Sequence, residues 1–248
     1  MSLRAVSIVT VTCDSYFFLR LMVEKLREFM GARDYEIVVV DRGSRDGSRA
    51  WLRGQPDVRL LTRRPLLARS HRHCEAAEAG VRAARHEHIV LLDSDAHPVS
   101  PNWLTGTVDR LDARHRLAGA VFRGRHSGNP HGWYIHPHFM TFFRSDLGGL
   151  VVLRKLRGDT TDTGEEATLR MLASGYDVIG HDIQFCPRLA VGNPRVPTIA
   201  GGVFHAWYVT RLIRRESEVF EETGGEVTRA NYLEPLQAKL RAEYGLPY

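Results

Sequence analysis

An alternation in the first part of the chain narrows the fold more than any other feature. Apolar runs rich in Val, Ile and Leu occupy residues 6–11, 35–40, 58–61 and 88–92. They are too short for helices; 6–11, 35–40 and 88–92 have the pattern of strands buried on both faces, and 58–61 looks like a third strand in chain order. Between the first two runs, Phe18, Met22, Leu26 and Phe29 recur at three and four, the stripe of an amphipathic helix. Gly31 lies just past its end. A turn-rich loop over 43–48 leads into a short helix around Trp51, and residues 68–84 form an alanine-rich helix whose start, 69–73, reads as loop. Strands alternating with helices in this way predict an α/β fold: a Rossmann-like, doubly wound, mostly parallel sheet with right-handed crossovers.

In such sheets ligands bind outside the carboxyl ends of the strands. Asp41 closes the second run, and Asp93-Ser94-Asp95 comes directly after the fourth. Side chains alternate along a strand, so Asp93 and Asp95 are expected on one face at its end. Two adjacent carboxylates suit a hard divalent cation. The plainer alternative is that the acid pair ends the strand and caps the next helix, and that Asp41 shapes the turn at Arg42-Gly43.

The second half is less regular. Helices are predicted over 102–113 and 163–174, the latter closed by Gly175, and strands over 117–122 and 136–143. Residues 124–132 and 192–202 read as loops, and 203–208 as a short apolar piece containing His205. Two C-terminal helices are predicted over 209–222 and 227–244. With no repeat and no linker, 1–248 reads as one domain, divided functionally at about 115 and 208.

Apolar residues make up 43% and charged residues 25% of the chain, enough for a substantial core. The net charge of +5 is carried by arginines such as Arg63, Arg64, Arg123, Arg125, Arg214 and Arg215. This suits phosphate-bearing ligands and leaves peripheral contact with an anionic membrane open. No block of like charge and no aromatic-basic motif points to nucleic acid. Cys13, Cys74 and Cys186 are too few and scattered for a disulfide framework, which with the lack of a leader or membrane-spanning run points to the cytoplasm.

The residues Val6–Thr12, then Glu36-Ile37-Val38-Val39-Val40-Asp41-Arg42-Gly43-Ser44-Arg45-Asp46-Gly47-Ser48, then Leu91-Leu92-Asp93-Ser94-Asp95-Ala96 with Asn102-Trp103-Leu104 resemble a family 2 glycosyltransferase of GT-A fold. The resemblance covers roughly the first 115 residues well and the remainder in patches. It implies sugar transfer from a nucleoside-diphosphate donor (UDP, dTDP or GDP) to a small-molecule, glycan or peptide acceptor, with inversion and with Mn2+ or Mg2+. By the same resemblance residues 1–115 bind the donor and 116–208 the acceptor. Thr10 and Thr12 line the nucleobase site and Asp41 hydrogen-bonds the base. Asp93 serves the ribose or the metal, and Asp95 ligates the metal. His205 resembles the late histidine that completes the metal site in many members, although a lone histidine among apolar residues is also an ordinary core residue. His71, in Ser70-His71, faces the diphosphate. On the acceptor side Leu169–Tyr176 matches, but the usual Glu-Asp pair upstream is replaced by Asp162-Thr163-Gly164-Glu165-Glu166. Asp162 is the expected general base, with Glu165 and Glu166 as alternates. All three acids also suit a helix N-terminus on electrostatic grounds alone.

Other readings of the residues stay open. His71, His73 and Cys74 lack the second pair a zinc site needs. His136 and His138, with Trp133 and Tyr134, are expected beside the acceptor. A sugar-phosphate nucleotidyltransferase uses a similar sheet, but usually has a glycine-rich basic loop where this chain has Thr12-Cys13-Asp14-Ser15-Tyr16. A non-catalytic module binding nucleotides or anionic surfaces is the other alternative.

Overall fold

The computed structural model describes residues 3–62, 72–124, 129–153, 164–192, 196–207, 209–214, 217–220 and 225–248. His71 and Asp162 lie outside them.

The first half keeps the alternation. Strand β1 (Val6–Thr12), helix α1 (Tyr16–Phe29), strand β2 (Tyr35–Asp41), helix α2 (Ser48–Arg53), strand β3 (Val58–Thr62), helix α3 (Arg72–Ala83) and strand β4 (His88–Leu92) succeed one another. β1 pairs in parallel with β2 from Val6↔Tyr35 to Thr12↔Asp41, and on its other edge with β4 from Val6↔His88 to Val9↔Leu91. The winding therefore reverses direction between β1 and β4, which makes that boundary the switch point where such sheets bind ligands.

The large sheet is completed by β6 (His115–Arg123), β7 (Trp133–Phe143) and β8 (Asp177–Asp182), in the order β3-β2-β1-β4-β7-β6-β8. Only β7 runs against the rest, antiparallel to both β4 and β6. Helix α4 (Glu165–Ala173) precedes β8. A second, four-stranded sheet has the order β5-β11-β10-β9, from β5 (Ala96–Pro98), β9 (Gln184–Phe185), β10 (Thr198–Ala200) and β11 (Val203–His205). The chain ends with helix α5 (Val209–Arg214), an antiparallel pair of β12 (Ser217–Phe220) and β13 (Gly225–Thr228), and helix α6 (Glu234–Tyr244).

Strand alternation sends Val6, Ile8, Val90 and Leu92 into one core layer and Val9, Val11, Ile89 and Leu91 into another. Cys74, Ala76, Ala77 and Val81 of α3 close the second layer. A Cβ at Gly80 would come within 2.5 Å of Val9 Cγ1, so glycine is what lets α3 approach β1 so closely. On the first layer, Leu19, Met22, Val23 and Leu26 of α1 face the sheet, while Phe17, Phe18 and Leu21 pack with Tyr232, Leu236 and Leu240. α1 is thus sandwiched between sheet and C-terminal segment, which is why its apolar residues exceed a single stripe.

Several expectations for the second half are corrected. Residues 102–113 form successive turns and a 3-10 turn at Val108–Arg110, not a helix. The expected loop 192–202 contains β10. Helix 209–222 ends by Arg214, and 227–244 begins as strand and π-helix before α6. The β-branched residues Val219 and Val227 favour paired strands over one continuous helix. Among the described residues no helix is long and apolar enough to cross a membrane.

Candidate metal and nucleotide site

β4 stops at Leu92, so Asp93, Ser94 and Asp95 lie in the turn between β4 and β5 rather than on the strand itself. Three backbone bonds shape that turn. Ala96 N donates to Asp93 O at 3.0 Å, Asp93 N to His138 O of β7 at 3.1 Å, and Ala206 N to Asp95 O at 3.1 Å. β11 then pairs with β5 so that His205 stands opposite Ala96. The register delivers His205 beside both acids: its Nε2 is 3.3 Å from Asp95 Oδ1 and 3.8 Å from Asp93 Oδ2. One ligand atom from each of Asp93, Asp95 and His205 lies within 4.8 Å of the others. The three residues predicted for the metal are thereby brought together. His73 Nε2, at the start of α3, is 3.8 Å from Asp93 Oδ1. From sequence, His73 came into question only for zinc.

The donor set fits a divalent cation. Two carboxylates and an imidazole suit Mn2+, while Mg2+ favours oxygen more strictly. His205 is buried, and its Nε2 lies within 4 Å of both acids.

Ser94 turns the other way. Its hydroxyl is 3.0 Å from Ser15 Oγ, which is 2.8 Å from Thr12 Oγ1. A chain of small hydroxyls therefore joins the end of β1 to the acid turn. Thr10 and Thr12 are both buried, Thr12 in this chain of contacts and Thr10 within the strand layer.

The loops after β1 and β2 are laced together. Asp14, at φ 56°, donates its N–H to Ser44 Oγ and accepts from Arg45 N at 2.7 Å. Tyr16 N donates to Asp46 Oδ2 at 2.7 Å. Asp41 is fully buried at the base of these loops. Its Oδ2 accepts from Arg49 Nε at 2.8 Å and Nη2 at 2.5 Å, and Gly43 N and Ser44 N donate to the same carboxylate. Burial pushes its pKa up, but the hydrogen bonds from Ser44 and Arg49 outweigh burial and hold it below the usual carboxylate value. Sequence reasoning missed Arg49, although an arginine eight residues past a strand-end acid, at the start of a short helix, is within reach of it.

On the acceptor side Glu165 and Glu166 open α4 and are both buried. Glu166 accepts from Arg170 Nε at 2.9 Å. Gly164, at φ 87°, starts the helix where a Cβ would lie 2.6 Å from Ile135 O, so α4 is pressed against β7. Tyr134 is buried beneath Phe122 rather than offering an open face. His136 and His138 share a face of β7, and His138 stacks on His205 with centroids 4.2 Å apart and planes at 12°. Burial, reinforced by the neighbouring His205 and His136, holds the pKa of His138 well below the usual histidine value.

A reversed-winding sheet with two acids and a histidine at its switch point defines a GT-A architecture, and known proteins agree. The model for glycosyl transferase family 2 matches residues 7–170, and the chain belongs to that family. A mannosyltransferase from Pyrobaculum calidifontis, solved with GDP-Man and Mn2+, superposes with a TM-score of 0.57 at 21% identity, over 73% of this chain and 55% of its own. The present chain thus spans little more than half the length of that protein. Glucosyl-3-phosphoglycerate synthase from Mycobacterium tuberculosis, solved with UDP, gives 0.53 at 16% identity over 72% and 70%. Its complex with Mn2+, UDP and glucosyl-3-phosphoglycerate gives 0.52 at 14%, with the same coverage. At these identities the likeness is one of fold. No curated protein matches the sequence.

Proposed function

We propose that this chain transfers a sugar from a nucleoside-diphosphate donor to an acceptor nucleophile with inversion, and that Asp93, Asp95 and His205 hold Mn2+ or Mg2+. The observation that carries the reading is the convergence of those three side chains at the β1/β4 switch point. The solved relatives named above bind GDP-Man or UDP, two of them with Mn2+, which supports a nucleotide-sugar donor without choosing the base.

A divalent cation, when bound, supplies charge to offset the leaving nucleoside diphosphate. The chain's own residues do the rest. The laced loops after β1 and β2, with Asp41 and Arg49 at their base, form the nucleoside side of the site. In the transfer, the acceptor oxygen forms its bond to the anomeric carbon as the bond from that carbon to the diphosphate breaks. The acceptor proton passes to a carboxylate. Asp162 is the residue assigned that role, with Glu165 and Glu166, which open α4, as its alternates.

The test is a thermal-shift series with UDP, dTDP and GDP, with and without Mn2+, and then nucleoside-diphosphate release from the matching sugar donor. One diphosphate should stabilise the chain only with metal, and Asp95→Ala should abolish the shift. Full turnover in excess chelator refutes the metal-dependent reading. Pyrophosphate release from a nucleoside triphosphate and a sugar phosphate would replace it with nucleotidyl transfer.

A further inference from the structure

A ligating histidine is usually oriented by a hydrogen bond from its second ring nitrogen to a carboxylate, carbonyl or water. His205 departs from that arrangement. Its Nδ1 is buried and has no hydrogen-bond partner among the described residues. What surrounds the imidazole instead is aromatic. His138 lies against it nearly parallel, at 4.2 Å, and the Trp207 ring centroid is 4.4 Å away at 42°.

Both rings also make polar contacts of their own. His138 N–H donates to His136 Nδ1 at 3.2 Å, so that nitrogen carries a lone pair. His138 Nδ1 lies 2.8 Å from the same His136 nitrogen. Trp207 has φ 60°, a backbone region a bulky side chain rarely adopts. Its Nε1 donates to Thr198 Oγ1 of β10 at 2.6 Å. The strain at Trp207 is concentrated two residues from His205, where it turns the indole toward the imidazole.

We infer that His138 and Trp207 form an aromatic clamp that fixes the plane of the His205 imidazole so that Nε2 stays aimed between Asp93 and Asp95. The clamp replaces the hydrogen bond normally made by the far nitrogen. Both are positioning residues acting through His205, and the inference rests on the metal reading proposed above.

The test measures Mn2+ affinity of the full chain by the electron-spin resonance signal of free Mn2+, with the metal-free melting temperature reporting the fold. Asp95→Ala defines loss of the site. His138→Leu and Trp207→Leu should each weaken Mn2+ binding about 10-fold or more, the size of effect seen when a ligand's orienting partner is removed. His138→Phe and Trp207→Phe keep a ring and should remain within about threefold of the native affinity, since stacking needs no ring nitrogen. Two variant pairs are used so that one that fails to fold leaves the other. Leucine variants that fold and bind Mn2+ as tightly as the native chain overturn the clamp. So do phenylalanine variants as weak as the leucine ones. If the native chain binds no Mn2+, or binds it equally after Asp95→Ala, the metal reading falls and the clamp with it.

Discussion

Replacing Arg49 with Met tests what holds the loops after β1 and β2 together. The native Asp41 carboxylate has no exposure to solvent, and two of its hydrogen bonds come from the Arg49 guanidinium. Removing one partner of a buried pair leaves an uncompensated charge, which typically destabilises by about 3–5 kcal/mol. The Arg49 side chain is 34% exposed, so water can enter where it leaves, and Gly43 N and Ser44 N still donate to Asp41. The expected loss is therefore near the low end, about 3 kcal/mol at pH 7.5. Asp41→Asn in the same background should recover much of it, because the charge that suffered is gone.

The direction of the Asp41 pKa sets the pH dependence. In the native chain it is held below the unfolded value. Its contribution to stability is therefore present above about pH 4 and is lost as pH falls through the folded value. Without Arg49 the carboxyl can protonate on acidification and shed its charge, so the penalty of Arg49→Met should shrink between about pH 6 and pH 4. Urea unfolding of native, Arg49→Met, Asp41→Asn and double-variant chains at pH 7.5 and 4.5 measures this. A penalty below about 1 kcal/mol, or one equal at both pH values, refutes the argument.

Three further outcomes are expected. Burial pushes the pKa of His97 down to about 3; with the folded value below the unfolded one, stability is intact above about pH 6.5 and falls as pH drops toward 3. His97→Phe should flatten that acid limb in urea titrations, and an unchanged limb would show that His97 does not set it. Gly164→Ala, at φ 87° and with Ile135 O 2.6 Å from the new Cβ, should lose about 2 kcal/mol, read as a shift in urea midpoint; native-like stability would mean that α4 can retreat from β7. Asp162→Asn should cut turnover by about 100-fold or more while the donor still binds, and unchanged turnover would pass the role to Glu165 or Glu166, tested by the matching Gln variants.

The central sheet was legible because β1, β2 and β4 are buried on both faces, and burial on both faces writes an unbroken apolar run, whereas β3, at the sheet edge, is only partly buried. The order of those runs implied the switch point, and acids placed just beyond one of them pointed to the turn where Asp93 and Asp95 now lie beside His205. The short strands β5, β9, β10 and β11 were not legible. They have two or three residues each, too few for any period to show. They form because neighbouring strands pair with them, which is a tertiary matter. Residues 102–113 misled in the opposite direction: apolar residues at helical spacing pack Trp103, Leu104 and Val108 into the core through consecutive turns. The contact between His138 and His205 needed the fold, yet half of it was available. His136 and His138, two apart on a predicted strand, had to share a face.

The pairing of β5 with β11 has a consequence for the order of events as the protein is made. Asp95 and His205 are about 110 residues apart, and their approach depends on that short ladder of three residue pairs. Closing so long a loop carries an entropic cost that local contacts do not. The acid turn itself leans on β7 and on Ala206 through Asp93 N and Asp95 O, so acids and histidine come together through contacts distant in sequence. The approach of His205 to the acids reports that the small sheet has closed, and on a translating ribosome it must wait until the chain beyond residue 205 has emerged.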